Sequence, residues 1–354
     1  MIKKFLSIVF LALVSSSVFS ADTVSVKQKS FIGPPVLLLP PPVDSAVLIK
    51  GLISDRLKKK NTEQADFVNR QNIILLNALL LQTETAVNPD ARLIGTLEEA
   101  LAGYIRIGDI KSQALIYSTY GVYYGRYGNS DKAVYYFNEA LKLKEILKDN
   151  AGISKITENL AALYRMNGQY DLAIKFAEYF VSANLNLKKT ATAAQTYLDI
   201  SSMKFKQGKF KESEYYILKK AFPLFQRTGN KFGRMKCFQS LAELYFHQER
   251  YSEAKWFYIQ SQIMAVKLLN NEAMISSLAG LGKVKNALGD YGGALLDFKR
   301  AEDLALKNNY LVKLVEINAN LGETYSQLGN YPAAGAALDQ YSLFRETWIK
   351  TNNL

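Results

Sequence analysis

The sequence is poor in the residues that active sites and metal centres most often use. Among 354 residues it has one histidine, His247, and one cysteine, Cys237. A single histidine cannot build a His-based metal cluster and gives no support for a catalytic triad. If both residues lie on one helix, they are about 15 Å apart, which is too far for a dyad. With no phosphate-binding loop either, the sequence predicts no enzymatic activity, no cofactor and no metal.

The lone cysteine also excludes an internal disulfide. Cys237 lies in an apolar stretch with helical spacing. We therefore expect it to be a buried small side chain rather than a reactive thiol.

Long apolar runs are missing too, apart from a short one at the N-terminus. Lys3 and Lys4 precede an apolar run over residues 5–14, and Ser20 comes just before Ala21. This order is typical of a secretory signal peptide over residues 1–20, cleaved next to Ala21. The alternative, a membrane anchor, needs about 20 apolar residues. We expect the mature chain to be extracytoplasmic, either periplasmic or secreted, with no transmembrane segment after cleavage.

Proline is scarce and unevenly placed. Five of the eight prolines lie between Pro34 and Pro42. Because proline fixes φ and lacks an N–H group, this stretch should be extended, in a polyproline II conformation. Asp44 and Ser45 then cap a short amphipathic helix, so residues 21–61 are predicted to form an extended segment and one helix. Two alternatives stay open for the proline run: it lies along the protein's own surface, or a partner captures it.

What the chain does contain is a repeat with a period of 40 residues. Each copy has a turn followed by a small residue, and Glu249 with its two neighbours replaces the turn glycine in the fourth copy. The turn glycines are Gly128, Gly168, Gly208, Gly289 and Gly329, and the small residues are Ala133, Ala173, Ser213, Ala254, Ala294 and Ala334. A fixed period of this length, with helical spacing throughout, predicts stacked helix pairs.

The repeats resemble tetratricopeptide repeats. Residues 159–164 followed by Gly168 match the family pattern, and so do residues 320–322 followed by Gly329. The usual period is about 34 residues, so the longer copies are similar to those of kinesin light chains. The resemblance implies an all-α fold, a right-handed α-solenoid of about seven stacked antiparallel helix pairs.

These pairs are expected to occupy residues 62–348. Residues 62–107 would form a divergent first pair and residues 108–348 six clearer pairs, with a tail at 349–354. One interval is 41 residues long rather than 40, and Pro223 lies inside it. Because a proline within a helix removes a backbone hydrogen bond, we expect a kink or bulge there. Two interpretations of this longer interval stay open: a functional irregularity or a neutral insertion.

In this family the first helices of successive pairs line a concave groove that holds ligands. The resemblance therefore implies groove contacts from Arg126, Asn159, Arg165, Lys206, His247, Lys283 and Asn320. Asn159 and Asn320 match the asparagine that binds a peptide backbone, whereas Gly280 and three other equivalent positions depart from it, so a complete ladder of asparagines is not implied. The implied partner is an extended peptide or a protein, and the implied function is that of an interaction scaffold.

Tyrosine and lysine are concentrated in particular copies. Tyr117, Tyr120, Tyr124 and Tyr127 form one stripe at helical spacing, which predicts packing, whereas Tyr123 points elsewhere and is predicted to contact a ligand. Between residues 203 and 236 ten residues are basic and two are acidic. The basic patch is represented by Lys204, Lys209, Lys211, Lys219 and Lys220.

Such a cluster favours an acidic partner or an anionic surface, although a merely solvated helix surface is the alternative. It gives a second candidate function, a sensory or envelope-assembly component that contacts anionic envelope material. Nucleic acid is not expected, because the sequence has no nucleic-acid-binding motif.

At the C-terminal end of the chain, the last helix carries Leu338, Leu343 and Trp348 with no capping helix after it. Because solenoid ends need covering, this predicts a homodimer or partner contact through the C-terminal repeat.

Overall fold

The computed structural model describes residues 91–351, which are helical apart from short turns. The predicted signal peptide, the proline-rich segment, the first helix of the divergent pair and the last three residues lie outside the described residues. The described chain divides into two compact units, residues 91–188 and residues 189–351. We refer to these as the N-terminal unit and the C-terminal unit.

The N-terminal unit contains one helix followed by two antiparallel helix pairs. The helices are α1 (Ala91–Arg106), α2 (Ile110–Arg126), α3 (Ser130–Ile146), α4 (Asn150–Met166) and α5 (Tyr170–Asn186). Two apolar cores hold the unit together: one joins α1 to α2, and the other runs through α2, α3, α4 and α5.

The C-terminal unit contains four antiparallel helix pairs. Its helices are α6 (Thr190–Lys206), α7 (Phe210–Arg227, in three parts), α8 (Lys231–His247), α9 (Tyr251–Lys267), α10 (Asn271–Ala287), α11 (Tyr291–Lys307), α12 (Leu311–Gln327) and α13 (Tyr331–Thr351). Within residues 91–351 the two units therefore show the predicted all-α fold of stacked helix pairs.

The turn inside each pair has a residue in the left-handed conformation at the position of the turn glycine. Gly128, Gly168 and Gly208 have φ values of 77°, 73° and 72°, and Glu249 has a φ of 59° where the fourth copy lacks glycine. Glycine adopts this conformation without the steric cost that a Cβ brings. The substitution of Glu249 for a turn glycine, predicted from its register alone, is confirmed.

The linkers between pairs end one helix and begin the next. The preceding helices end at a residue in the left-handed conformation, Lys148 (φ 53°) and Leu269 (φ 51°). Asp149 and Asn270 begin the next helix, because their side chains accept hydrogen bonds from the N–H groups of Gly152 and Ala273 at 2.9 and 2.8 Å. An N-terminal cap of this kind stabilises a helix by about 1 kcal/mol.

Close approach of helices depends on glycines that face aromatic rings. A Cβ placed on Gly121 of α2 would lie 2.5 Å from the ring of Phe137 on α3, and one on Gly282 of α10 would lie 2.7 Å from Phe298 on α11. Both rings are fully buried. The glycine on the first helix of each of these pairs therefore lets a ring of the second helix pack closely.

The predicted irregularity at Pro223 is confirmed. Helix α7 consists of an α-helical turn, a π-helical segment over Tyr216–Ala221, and a second α-helical part that begins just before Pro223. A π-helical turn accommodates one more residue than an α-helical turn. The segment lies inside the 41-residue interval and absorbs its extra residue, so the neighbouring pairs keep their register.

Cys237 is buried as predicted, and burial raises the pKa of its thiol to about 12. On α13 only Ala334 and Ala337 are buried, while Leu338 and Leu343 are exposed. The homodimer through this helix stays a prediction.

The glycine contacts generate a test of the packing. We expect Gly282→Leu to lower the free energy of unfolding by about 1–3 kcal/mol, because the added side chain overpacks against Phe298. The matched control is Gly292→Leu on α11, where a Cβ would meet nothing within 4 Å. Thermal and urea unfolding of both variants would measure the difference. Equal stability of the two variants would contradict the assigned packing.

Candidate binding surface

The first helices of the C-terminal unit lie side by side. Helix α8 contacts both α6 and α10, and α10 contacts α12. Residues three or four positions apart on each of these helices lie on the side that the helices share, and many of them are polar or charged. We call this surface the first-helix face; the residues of it that matter here are Asp199, Ser202 and Lys206 on α6, Ser240, Glu243 and His247 on α8, Lys283 on α10, and Glu316 and Asn320 on α12.

Between α6 and α8 the first-helix face has a cleft. Its lining is Ser201, Ser202, Phe205, Ser213, Ser240, Glu243 and Leu244. Ser202 and Glu243 are exposed, and Ser240 is half-buried. Hydroxyl groups donate and accept hydrogen bonds, and a carboxylate accepts them, so the cleft combines polar groups with the half-buried ring of Phe205.

Two of the predicted groove residues lie next to residues of the cleft lining. His247 on α8 contacts Phe205 on α6, with ring centroids 4.9 Å apart and the rings edge to face. Lys206 follows Phe205 in the chain, and both Lys206 and His247 are exposed. The structure therefore brings two basic candidate residues to one edge of the cleft.

Farther along the face, two other predicted contacts already have partners within the protein. Lys283 on α10 forms an ion pair and a hydrogen bond with Glu316 on α12. The side-chain amide of Asn320 donates to the backbone carbonyl of Glu316 at 2.6 Å. A ligand at α10 and α12 would have to compete with these contacts.

The missing asparagine at Gly280 has a structural reason. The ring of Tyr258 on α9 lies against Gly280, and a Cβ there would be 2.3 Å from that ring. Burial, followed by the negative charges of Glu243 and Glu316, raises the pKa of the Tyr258 hydroxyl. An aromatic ring from the preceding helix thus fills the space that a longer side chain at residue 280 would need.

In the N-terminal unit, the expectation for Tyr123 is wrong. Tyr123 is only 9% exposed, because α1 packs against α2 and encloses it with Leu97 and Tyr104. The repeat register contained the signal: one period on, Leu163, and two periods on, Met203, are buried apolar residues.

The other candidates of this unit divide into exposed and buried. Arg126 and Arg165 are exposed at the ends of α2 and α4, and partial burial of its guanidinium lowers the pKa of Arg126. Asn159 is 6% exposed, which leaves a ligand little access to the amide that the resemblance assigned to peptide binding.

The basic patch is less uniform than its sequence indicates. The Lys204 ammonium lies 2.6 Å from the Glu212 carboxylate, and only 12% of the Lys204 side chain is exposed. Lys209, Lys211 and Lys219 are exposed. Lys220 lies over the ring of Tyr215, with 5.6 Å between its ammonium and the ring centroid. Lys204 is therefore a structural ion-pair partner, and the exposed lysines of the patch lie on α7 and on the turn before it.

Sequence reasoning missed Ser202, Ser240 and Glu243. Ser202 and Glu243 lie four residues before Lys206 and His247, one helical turn away on the same side. That spacing could have identified them. Among residues 91–351, no group of three or more His, Cys, Asp or Glu side chains is arranged to hold a metal ion, and no helix is both long and apolar enough to span a membrane.

No protein-family model matches the sequence, and no curated protein matches it. Among solved structures, the fold is similar to a signal transduction ATPase with numerous domains that has a tetratricopeptide repeat sensor, from Pyrococcus horikoshii. The TM-score is 0.58 at 16% sequence identity, over 88% of this chain and 46% of that one. This chain thus spans less than half the length of that protein.

A second similar structure is the apo form of RapI, with a TM-score of 0.51 at 13% identity, over 79% of this chain and 99% of that one. Likenesses at this level of identity concern the fold. Together with the stacked pairs and the turn geometry, they show that this chain has a tetratricopeptide-repeat-like fold.

The ion pair between α10 and α12 generates a prediction about pH. Burial acts to raise the pKa of Glu316, but Lys313 and Lys283 outweigh it, so the pKa lies below the ordinary value of 4.5. A carboxyl whose pKa is lower in the folded state stabilises the fold above its unfolded pKa, and this contribution is lost as the pH falls through the folded pKa.

We therefore expect Glu316→Gln to lower the free energy of unfolding by about 0.2–1 kcal/mol at pH 7, because partly exposed ion pairs contribute little. The deficit should shrink as the pH is lowered from 6 to 3, measured by urea unfolding at each pH. Glu323→Gln, at an exposed position of the same helix, is the control. A deficit that is the same at all these pH values would contradict the ion-pair origin.

Proposed function

We propose that this protein is an exported, non-enzymatic interaction scaffold that binds an extended peptide or protein segment across the first-helix face. The observation that carries the proposal is the cleft between α6 and α8, which combines exposed polar groups with apolar side chains. Repeat proteins of this kind use the extended surfaces that their stacking creates. Export rests on residues 1–20, whose sequence is typical of a signal peptide.

The chemistry of the cleft supports a peptide ligand of mixed polarity. Ser202 and Ser240 can bond to backbone amides or carbonyls, and Phe205 supplies apolar surface for a side chain. Lys206 and His247 at the edge suit an acidic residue of the partner. The long helices that resemble those of kinesin light chains support the same mode of binding.

We expect Ser202→Trp to abolish partner binding, because the indole fills the cleft between α6 and α8. The matched control is Ser182→Trp, at an exposed position of α5. The immobilised chain would be incubated with envelope extract from the source cells, and captured proteins identified by mass spectrometry. Species retained by wild type and Ser182→Trp should fall at least tenfold with Ser202→Trp, while circular dichroism of the two variants stays the same.

Equal capture by both tryptophan variants would contradict the use of this cleft. Export has its own test: the chain purified from the source cells should begin near Ala21.

A second candidate function is contact with anionic envelope material through the basic patch. The observation that favours it is the exposure of Lys209, Lys211 and Lys219 near the π-helical segment of α7. Exposed lysines at close spacing create a positive potential that attracts anionic polymers and surfaces.

For this function we expect Lys209→Glu/Lys211→Glu to weaken retention on immobilised polyglutamate at least tenfold at low salt, because two charges are reversed. Raising the ionic strength should release wild type as well. Lys142→Glu/Lys175→Glu, which reverses two exposed lysines of α3 and α5, is the matched control. If that pair weakens retention equally, net charge rather than the patch is responsible.

A further inference from the structure

The outward side of α9 carries large apolar side chains that are exposed to solvent rather than buried in the core. Trp256, Ile263 and Val266 are 52%, 44% and 54% exposed, and Leu269, in the turn that follows, is 88% exposed. At 100° per residue these three helix positions fall within one stripe about 80° wide. Stacked pairs bury the opposite side of α9, where Ala254, Tyr258 and Ala265 lie in the core.

Lysines border this stripe on both sides. Around the helix axis, Lys255 lies about 20° beyond Val266 and Lys267 about 20° beyond Trp256, and both lysines are exposed. The only acidic residue of α9 is Glu253, which forms an ion pair with Arg250 at 2.9 Å. Tryptophan, aliphatic side chains and lysines exposed together are the groups that contact the headgroup region of an anionic bilayer.

The tryptophan ring is held in place by its neighbours. It meets Phe257 edge to face at 4.7 Å between centroids and lies 6.3 Å from Phe238. Phe238 in turn lies 5.6 Å from Phe222, which follows the π-helical segment of α7. These aromatic contacts connect the stripe on α9 with the part of α7 that carries the exposed Lys219.

We propose that the outward face of α9, which we call the α9 stripe (Trp256, Ile263, Val266, Leu269 with Lys255 and Lys267), binds the surface of an anionic lipid bilayer. Tryptophan is favoured at the level of lipid headgroups, aliphatic side chains enter the acyl boundary, and lysines attract anionic headgroups. A second copy of the chain fits less well, because a two-fold contact through α9 would bring lysines of both copies together. A protein partner would need an acidic groove shaped to a single helix.

The inference rests on the second candidate function, since a bilayer is one form of anionic envelope material. It is separate from the first-helix face, which belongs to other helices. The experiment must therefore distinguish the stripe from the basic patch, and lipid from other polyanions.

The test is co-sedimentation of the purified mature chain with phosphatidylcholine vesicles and with vesicles that contain phosphatidylglycerol. We expect binding to the anionic vesicles at least tenfold tighter than to neutral ones, weakened by salt. Ile263→Ser/Val266→Ser and Lys255→Glu/Lys267→Glu should each reduce binding at least tenfold. Leu172→Ser/Lys175→Glu, at exposed positions of α5, should leave it unchanged.

Fluorescence adds a readout that folding defects do not imitate. The chain has two tryptophans, so a Trp348→Phe variant reports Trp256 alone. Its emission should shift to shorter wavelength on addition of anionic vesicles and stay constant with neutral ones.

Three results would overturn the inference. The first is no binding to anionic vesicles, even if polyglutamate retention still depends on Lys209 and Lys211; the second candidate function then survives without the lipid. The second is vesicle binding unchanged by the α9 variants. The third is a concentration-dependent dimer in sedimentation velocity that the α9 variants abolish, which would assign the α9 stripe to a second copy.

Discussion

The fit of an aromatic ring against a residue without a side chain is the contact on which this architecture depends. It occurs inside pairs, where Phe298 lies against Gly282, and between pairs, where Tyr258 lies against Gly280 and Phe225 against Gly233. Each contact sets the distance between two helices, because a Cβ at the glycine would lie less than 3 Å from the ring. Since protein interiors are closely packed, a change in the size of the ring requires a compensating change at the glycine that faces it.

That constraint leaves the two outer sides of each pair open to variation, and there the copies differ. On the first-helix side, α10 and α12 are joined by the ion pair of Lys283 and Glu316, whereas α6 and α8 meet at Phe205 and His247 and have a cleft beside that contact. On the second-helix side, α7 carries a π-helical segment and α9 carries the α9 stripe. The candidate binding surfaces are therefore the places where one copy departs from its neighbours.

Features set by local sequence were predictable. The left-handed turn at Glu249, the bulge before Pro223 and the burial of Cys237 each follow from the identity of a residue and its register. Features set by contacts between helices were not. Lys204 pairs with Glu212 across a turn, Tyr123 is enclosed by α1, and the ring of Tyr258 explains why residue 280 is glycine. The groove candidates were chosen by position, and position alone does not reveal which of them already have partners.

The central claim, that ring and glycine determine each other, is tested most directly by a double-mutant cycle at Gly282 and Phe298. Gly282→Ala adds a methyl group against the ring, and Phe298→Leu removes the ring, so each alone should destabilise the fold. Together the methyl group should occupy part of the vacated space, giving a favourable coupling energy of about 1 kcal/mol in urea unfolding. Additive effects of the two substitutions would contradict the claim.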